Sequence, residues 1–223
     1  RQSLGVDNVT GATITSFALK GAVKKALEQA KVSKADMAKL MKNSEKYTAL
    51  PAEIKTNVVV VGGGGSGLAS AIAAQQAGAK VIVLEKLGIL GGSTNVSEGA
   101  LNAADPQRQG KQGIEDSIQK HYEQTMKGGH NIGNPELVHY LTDHALESVH
   151  WLESIGVKFK DEVGTATGAL WQRSHYPATP SGNTYIRSFE KYIAAHGNDM
   201  KVYTDMDAVS LIQDKAGRVI GVI

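Results

Sequence analysis

Four consecutive valines, Val58 to Val61, run straight into Gly62-Gly63-Gly64-Gly65-Ser66-Gly67. This junction constrains the fold more than any other feature of the chain. A continuous β-branched run predicts a strand buried on both faces. The glycines fit G-x-G-x-x-G, a pattern in which each one has a mechanical task. Gly62 permits the tight turn, Gly64 lets the backbone approach a pyrophosphate, and Gly67 lets the following helix pack against the strand. The backbone at Ser66 lies in the first turn, where free N–H groups and the positive end of the helix dipole meet a phosphate. Leu68 to Ala77 then reads as an alanine-rich helix ended by Gly78. Val81 to Leu84 is a second buried strand, which completes one parallel βαβ unit of about 30 residues. Glu85 ends that strand 23 residues after Gly62, close to the ~20 expected for the acid that binds the ribose hydroxyls of a dinucleotide.

Composition narrows the class. The 223 residues are 41% apolar, enough to bury a core, and 24 basic side chains nearly balance 22 acidic ones without long blocks. That balance gives no reason to expect nucleic acid or an anionic membrane surface as partner. The absence of cysteine excludes disulfides, thiol catalysis and thiolate metal sites, and it suits an extracytoplasmic setting, periplasmic or cell surface. No apolar run reaches the ~18 residues of a membrane helix. Both ends read as cut, at Arg1 and within an apolar strand at Val219 to Ile223.

Three stretches follow along the chain. Residues 1–33 hold a turn and a helix, in which Phe17, Leu19, Ala22, Val23, Ala26 and Leu27 recur at helical spacing. Residues 34–55 are a linker, read as a tether or small helix. Residues 56–223 are the main domain, an incomplete Rossmann-like α/β fold. Within it, helices are predicted around 114–126, 135–155 and 184–196, with Asn134-Pro135-Glu136 as a start signal. Residues 161–183 read as a long loop, Val202-Tyr203 as a strand, and 208–212 with 218–223 as a hairpin around Asp214-Lys215-Ala216-Gly217.

The glycine turn alone does not choose between nicotinamide and flavin dinucleotides. The continuation does. Leu84-Glu85-Lys86, followed by Gly91-Gly92-Ser93-Thr94, resembles a segment of flavoprotein reductases whose second glycine pair wraps an extended FAD. Further blocks are similar in kind and order: Gly99-Ala100-Leu101-Asn102-Ala103-Ala104, Met126-Lys127-Gly128-Gly129-His130-Asn131 and Ser148-Val149-His150-Trp151-Leu152. With these, residues 57–223 resemble the flavoproteins of the fumarate reductase and succinate dehydrogenase family, nearest the soluble fumarate reductases and urocanate reductases. The resemblance implies flavin-dependent reduction of a carbon–carbon double bond beside a carboxylate, in which reduced FAD gives hydride to one alkene carbon and an arginine protonates the other. It places that arginine and the substrate-clamping residues beyond position 223, so no catalytic residue is expected within this fragment and the fragment alone should be inactive. Covalently flavinylated relatives have a histidine where Thr94 and Asn95 stand here, which implies non-covalent FAD.

Two further expectations come from the same resemblance. Gly99 sits at the substrate, and Glu98 before it replaces a small residue of fumarate reductases. A carboxylate there would repel fumarate and attract the imidazole of urocanate. The bland alternative puts Glu98 in solvent or beside a lysine. Arg173 and His175 match an Arg-x-His pair of the family; they either line the site or position a cap domain, or are surface residues. No metal-ligand spacing occurs among the other histidines.

At the N-terminus, Asp7-Asn8-Val9-Thr10-Gly11-Ala12-Thr13-Ile14-Thr15 resembles the flavin-attachment motif of FMN-binding domains. The resemblance implies FMN esterified to Thr15 by an FMN transferase, with residues 1–33 as the C-terminal part of that domain. The expected whole is a two-flavin reductase of anaerobic respiration. Electrons would pass from a donor protein or quinone-linked chain through FMN to FAD and then to fumarate or urocanate. The alternatives are an electron-shuttling flavoprotein module and another FAD-dependent dehydrogenase; the 126–131 block argues against the latter.

Overall fold

The computed structural model describes residues 13–42, 50–179 and 181–223. The chain separates into two compact units, residues 1–54 and residues 55–223. In the first unit, α1 spans Thr13–Gln29 and α2 spans Lys34–Lys42. The Ser33 hydroxyl starts α2: its Oγ accepts from the Asp36 backbone N–H at 3.1 Å and donates to the Asp36 carboxylate at 2.7 Å. So of the two readings of 34–55, tether or small helix, the described part from Lys34 to Lys42 is a short helix. The apolar side chains of α1 that suggested the helix are largely exposed, Phe17 and Leu19 among them.

The second unit is built on the βαβ element. Strand β1 (Val58–Val61) pairs in parallel with β2 (Val81–Leu84), in register Val58 to Val81 through Val61 to Leu84. Between them α3 (Gly65–Gln76) turns Leu68, Ala71 and Ile72 inward, positions one helical turn apart. Gly78, at φ +88°, ends the turn. A third parallel strand, β5 (Met200–Tyr203), adds to the far edge of β2, so the sheet order is β1-β2-β5. The central strand β2 is buried on both faces, as its apolar run requires. Strand β1 is not. Val59 and Val61 are 38% and 58% exposed, whereas Val58 and Val60, on the face toward α3, pack against the core. A run of valines states that both faces can be buried; it does not state what buries them.

Between β2 and β5 the chain forms a 3₁₀ turn (Gly92–Val96), β3 (Leu101–Asn102), α4 (Pro106–Lys111), α5 (Ile118–Gly128), α6 (Pro135–Ser154), β4 (Ser174–His175) and α7 (Asn183–Ala195). Helices α6 and α7 pack Ala145, Val149, Leu152, Ile186, Phe189 and Ile193 against Leu68, Ile72 and Met200 to make one core. Asn134 caps α6 through its side chain, with Pro135 at the first position. The hairpin of β6 (Leu211–Gln213) and β7 (Val219–Val222) closes the chain.

The stretch read as one long loop is interrupted. Strand β4 pairs antiparallel with β3, Leu101 opposite His175 and Asn102 opposite Ser174. Arg173 and His175 are 3% and 1% exposed, so the surface reading of this pair is wrong. Arg173 donates through Nε and Nη2 to both oxygens of Asp116, at 2.8 and 2.7 Å. His175 presents Nε2 to Asp105 at 3.1 Å and Nδ1 to the carbonyl oxygens of Leu101 and Arg173. Asp105 also caps α4 by accepting from the Gln107 and Arg108 N–H groups, and it pairs with the Arg108 guanidinium, which reaches on to Glu153. Gln109, 1% exposed, links the two acids: its Oε1 accepts from the Asp105 N–H and its Nε2 donates to Asp116. Every charge in this network has partners, which a buried charge needs.

Burial alone would raise the Asp105 carboxyl. The hydrogen bonds from Arg108 and His175 outweigh it and hold the group at about 2 against an ordinary 3.8. The carboxylate therefore stabilises the fold above the ordinary value, and that contribution is lost as pH falls through about 2. Asp105→Ala removes a helix cap and leaves a buried guanidinium and imidazole without their shared acceptor, and it should cost roughly 3 kcal/mol or more. Urea denaturation of this variant, beside Asp161→Ala on an exposed turn at less than about 0.5 kcal/mol, checks the assignment.

Candidate functional site

The glycine turn at the end of β1 is shaped by what its missing side chains would strike. Gly62 has φ +102°, a conformation side chains rarely adopt. A Cβ on Gly67 would stand 1.9 Å from the Gly62 carbonyl oxygen, so the helix lies on the turn at a distance only glycine allows. A Cβ on Gly63 would strike Leu90 at 2.5 Å. Gly64 differs: it has ordinary backbone angles, and its Cβ would meet nothing nearer than the Gly91 carbonyl oxygen at 3.9 Å. Gly62 is open as well but at a φ that side chains rarely adopt, so Gly64 combines ordinary backbone angles with space on its outer side, where a ligand's approach needs it. Gly64 caps α3 without a side-chain hydrogen bond, and of the first-turn N–H groups Gly65 donates to Thr94 Oγ1 at a long 3.3 Å. A helix start of this form suits an anionic phosphate.

The second glycine pair folds back over the first. Gly91 bridges Gly64, its N–H donates to the Gly63 carbonyl at 2.8 Å, and a Cβ on Gly92 would sit 3.8 Å from Gly64 Cα. Gly91 and Gly92 both have positive φ, and the 3₁₀ turn they start carries Ser93 and Thr94. Residues separated by nearly 30 positions therefore form a single cradle with two glycine walls.

Glu85 lies under the cradle and is 8% exposed. Its Oε2 accepts from the Gly63 N–H at 2.6 Å and its Oε1 from the Leu87 N–H at 2.7 Å. The carboxylate thus ties the end of β2 to the turn after β1, a duty that the sequence spacing did not reveal. Lys86 points away and pairs with Asp207 at 3.3 Å in solvent. Ser93 is exposed.

A cavity of about 920 Å³ opens beside the cradle. Gly65, Ser66, Thr94 and Gly99 line it, together with Ser97 and Leu101. Gly99 has φ +83°, and its Cβ would strike Gly182 N at 2.7 Å; its carbonyl accepts from the buried Tyr185 hydroxyl. Burial pushes that phenol well up from its usual range. Asn95 is occupied in holding the turn, bonding the Leu90 carbonyl and the Asn183 amide. Glu98 does not line the cavity. It is exposed and accepts from the Tyr176 hydroxyl at 3.1 Å. The opposite wall was missed in the sequence: Tyr140, His144, Glu147 and Trp151 face the cavity from α6, with His144 Nδ1 2.8 Å from Glu147. Their i, i+4, i+7, i+11 spacing, beside the buried stripe of Ala145, Val149 and Leu152, was the available signal. No metal-binding cluster occurs among the described residues.

Thr15 belongs to the other unit, exposed on the first turn of α1. The part of its motif from Asp7 to Ala12 lies outside the described residues.

Comparison with known proteins agrees with this geometry. The family model described as FAD binding domain matches residues 57–223, and that described as FMN-binding domain matches residues 1–28. The chain is 36% identical over 223 residues to the urocanate reductase of Eggerthella lenta, covering 99% of this chain and 36% of the relative. It is 36% identical over 216 residues to the NADH:fumarate oxidoreductase of Klebsiella pneumoniae, covering 96% of this chain and 22% of the relative. Among solved structures it resembles the open conformation of a flavocytochrome c3 fumarate reductase, with a TM-score of 0.69 and 32% identity over 75% of this chain and 29% of that one. The chain thus spans about a fifth to a third of the length of these relatives. With most of its length matched by the FAD model and its first residues by the FMN model, the chain belongs to the FAD binding domain family of flavoproteins, its FAD-binding segment preceded by the end of an FMN-binding domain.

Proposed function

We propose that the protein is a flavin-dependent reductase of the C=C bond of an α,β-unsaturated carboxylate, with fumarate and urocanate as the candidate acceptors. The observation that carries this reading is the two-walled glycine cradle beside a cavity, in a chain whose FMN and FAD segments together align with the urocanate reductase. FAD, when bound and reduced, supplies the hydride. The chain's own residues bind and orient it. The first-turn N–H groups of α3 and the open side of Gly64 receive the pyrophosphate, Gly91 to Thr94 wrap over it, and Glu85 meets the adenosine ribose with the acceptor capacity its two backbone bonds leave. Thr94 and Asn95 offer no imidazole for attachment, so FAD is held without a covalent bond. Thr15, an exposed hydroxyl, carries FMN as a phosphoester placed there by a transferase, and electrons enter through it from a donor protein or quinone-linked chain. Residues 1–33 then serve as the end of the FMN domain, 34–55 as linker and 56–223 as the first part of the FAD domain. An extracytoplasmic location suits this chemistry; among the described residues no helix is long and apolar enough to cross a membrane. A steady-state assay of the full-length protein with reduced viologen and each acid tests the reading, and turnover of neither acid would remove it.

The cradle makes a paired prediction. Gly67→Ala should prevent folding of the turn, because its Cβ meets a backbone oxygen at 1.9 Å. Gly64→Ala has room for its Cβ and should keep the apoprotein melting temperature within a few degrees while weakening FAD at least about tenfold. Thermal melts and fluorescence titration with FAD separate the two effects. Peptide mass spectrometry should find the FMN adduct on the Thr15 peptide and none in Thr15→Ala; an adduct that persists in the variant moves the attachment elsewhere. Glu98 stands one residue from Gly99, at an exposed position held by Tyr176, so solvent screens its charge. Glu98→Ala should therefore lower the preference for urocanate over fumarate by only about fivefold, a shift of ~1 kcal/mol, and kcat/KM for both acids measures it.

A further inference from the structure

The second glycine wall has little of its own to hold it. Gly91 and Gly92 stand at φ +110° and +48° and carry no side chains. Apart from the Gly91 N–H on the Gly63 carbonyl, the bonds of the turn are long. The Asn95 N–H reaches the Gly91 carbonyl, the Ser97 N–H the Thr94 carbonyl and the Gly65 N–H the Thr94 hydroxyl, each at 3.3 Å. Two adjacent glycines can take many conformations at similar cost, so the one seen here is imposed from outside the pair.

The half-buried Asn95 side chain imposes it. A Cβ on Gly91 would meet Asn95 Cγ and Nδ2 at 2.6 Å, so the amide lies directly on the glycine. Nδ2 donates to the Leu90 carbonyl at 2.8 Å, and Oδ1 accepts from Asn183 Nδ2 at 2.6 Å. The direction of this relay is fixed. The Leu90 carbonyl can only accept, so Asn95 turns its nitrogen toward Leu90 and its oxygen toward Asn183.

Asn183, 88 residues further along the chain, opens α7, and the first turn of α7 meets the wall again beside it. The Gly182 N–H donates to the Ser97 carbonyl at 2.9 Å. A Cβ on Gly182 would strike the Thr94 carbonyl oxygen and the Ser97 hydroxyl, although its backbone angles are ordinary, so glycine serves only closeness there. Helix α7 is itself seated in the core through Ile186, Phe189 and Ile193. A helix fixed by the core thus holds a turn that cannot hold itself. Thr94, next to Asn95, presses in turn on the start of α3: a Cβ on Gly65 would meet its Oγ1 at 2.6 Å. A shift of the wall therefore carries to the helix start that faces the pyrophosphate.

We propose that Asn95 and Asn183 are positioning residues for FAD. Through the Asn183–Asn95–Leu90 relay, α7 holds the second glycine wall closed over the cofactor, and the relay sets how slowly FAD leaves. Asn95 does not line the large cavity, so it acts through the glycines and not by contact with the cofactor. The proposal rests on the reading of the cradle as an FAD site.

Equilibrium and stopped-flow fluorescence of FAD with the full-length apoprotein test it. Asn95→Ala should bind FAD about tenfold more weakly, with the loss in the dissociation rate and the association rate unchanged. Asn183→Ala should lose about fivefold in the same way, while its apoprotein melts within a few degrees of the parent. Because the two side chains act in one relay, the double variant should bind FAD no more weakly than Asn95→Ala alone, whereas two residues that merely stabilise the fold would give additive losses. If Asn95→Ala folds poorly, Asn95→Asp takes its place: it keeps the shape, cannot donate to Leu90, and should lose about fivefold. Unchanged FAD affinity in the single variants, losses confined to the association rate, or additive losses in the double variant would overturn the proposal and leave the FAD site standing. A parent protein that does not bind FAD would instead remove the reading of the cradle, and the proposal with it.

Discussion

The approach of Gly67 to the carbonyl oxygen of Gly62 sets the geometry on which the rest of the second unit depends. It fixes the angle at which α3 leaves β1, and so which face of α3 turns toward β2, α6 and α7. The cost of such closeness is that no side chain is tolerated, and the turn is therefore weak in contacts of its own. Glu85 compensates by binding the turn from below, and the Gly91 segment by bonding it from the side. A flexible sequence is in this way held in one conformation by neighbours that arrive from later in the chain.

Much of this was legible in advance, for a definite reason. The βαβ unit is local: its valine runs, alanine-rich helix and closing glycine each state a conformation within a few residues. Asn134-Pro135 announced α6 by the same kind of local signal. The cradle was legible in its members, since Gly62, Gly64, Gly67, Gly91 and Gly92 were all singled out, but not in its closure. That one glycine pair folds onto the other is a contact across nearly 30 residues.

What the sequence hid was mainly polar and non-local. A strand of two residues has no periodicity, so β4 is invisible in the sequence, whereas Asp105-Pro106 carries a sound helix-start signal that α4 follows. Arg173 and His175 illustrate the deeper difficulty. Charged side chains default to the surface, and only the positions of Asp116 and Asp105, roughly 60 to 70 residues upstream in the chain, turn them into buried members of a satisfied network. Glu98 is exposed and bonded to Tyr176 rather than lining the cavity, a contact across 78 residues that its neighbourhood in the chain does not state.

The half-bare strand β1 has a consequence for handling. Its outer edge is unpaired among the described residues, and its four valines include no charge, proline or bulge to discourage a visitor. Apolar, uncharged edges recruit strands from other molecules. Samples that leave this edge open should become turbid with rising concentration well before the fold itself is lost, and their colloidal behaviour would then report on one strand edge rather than on the stability of the core.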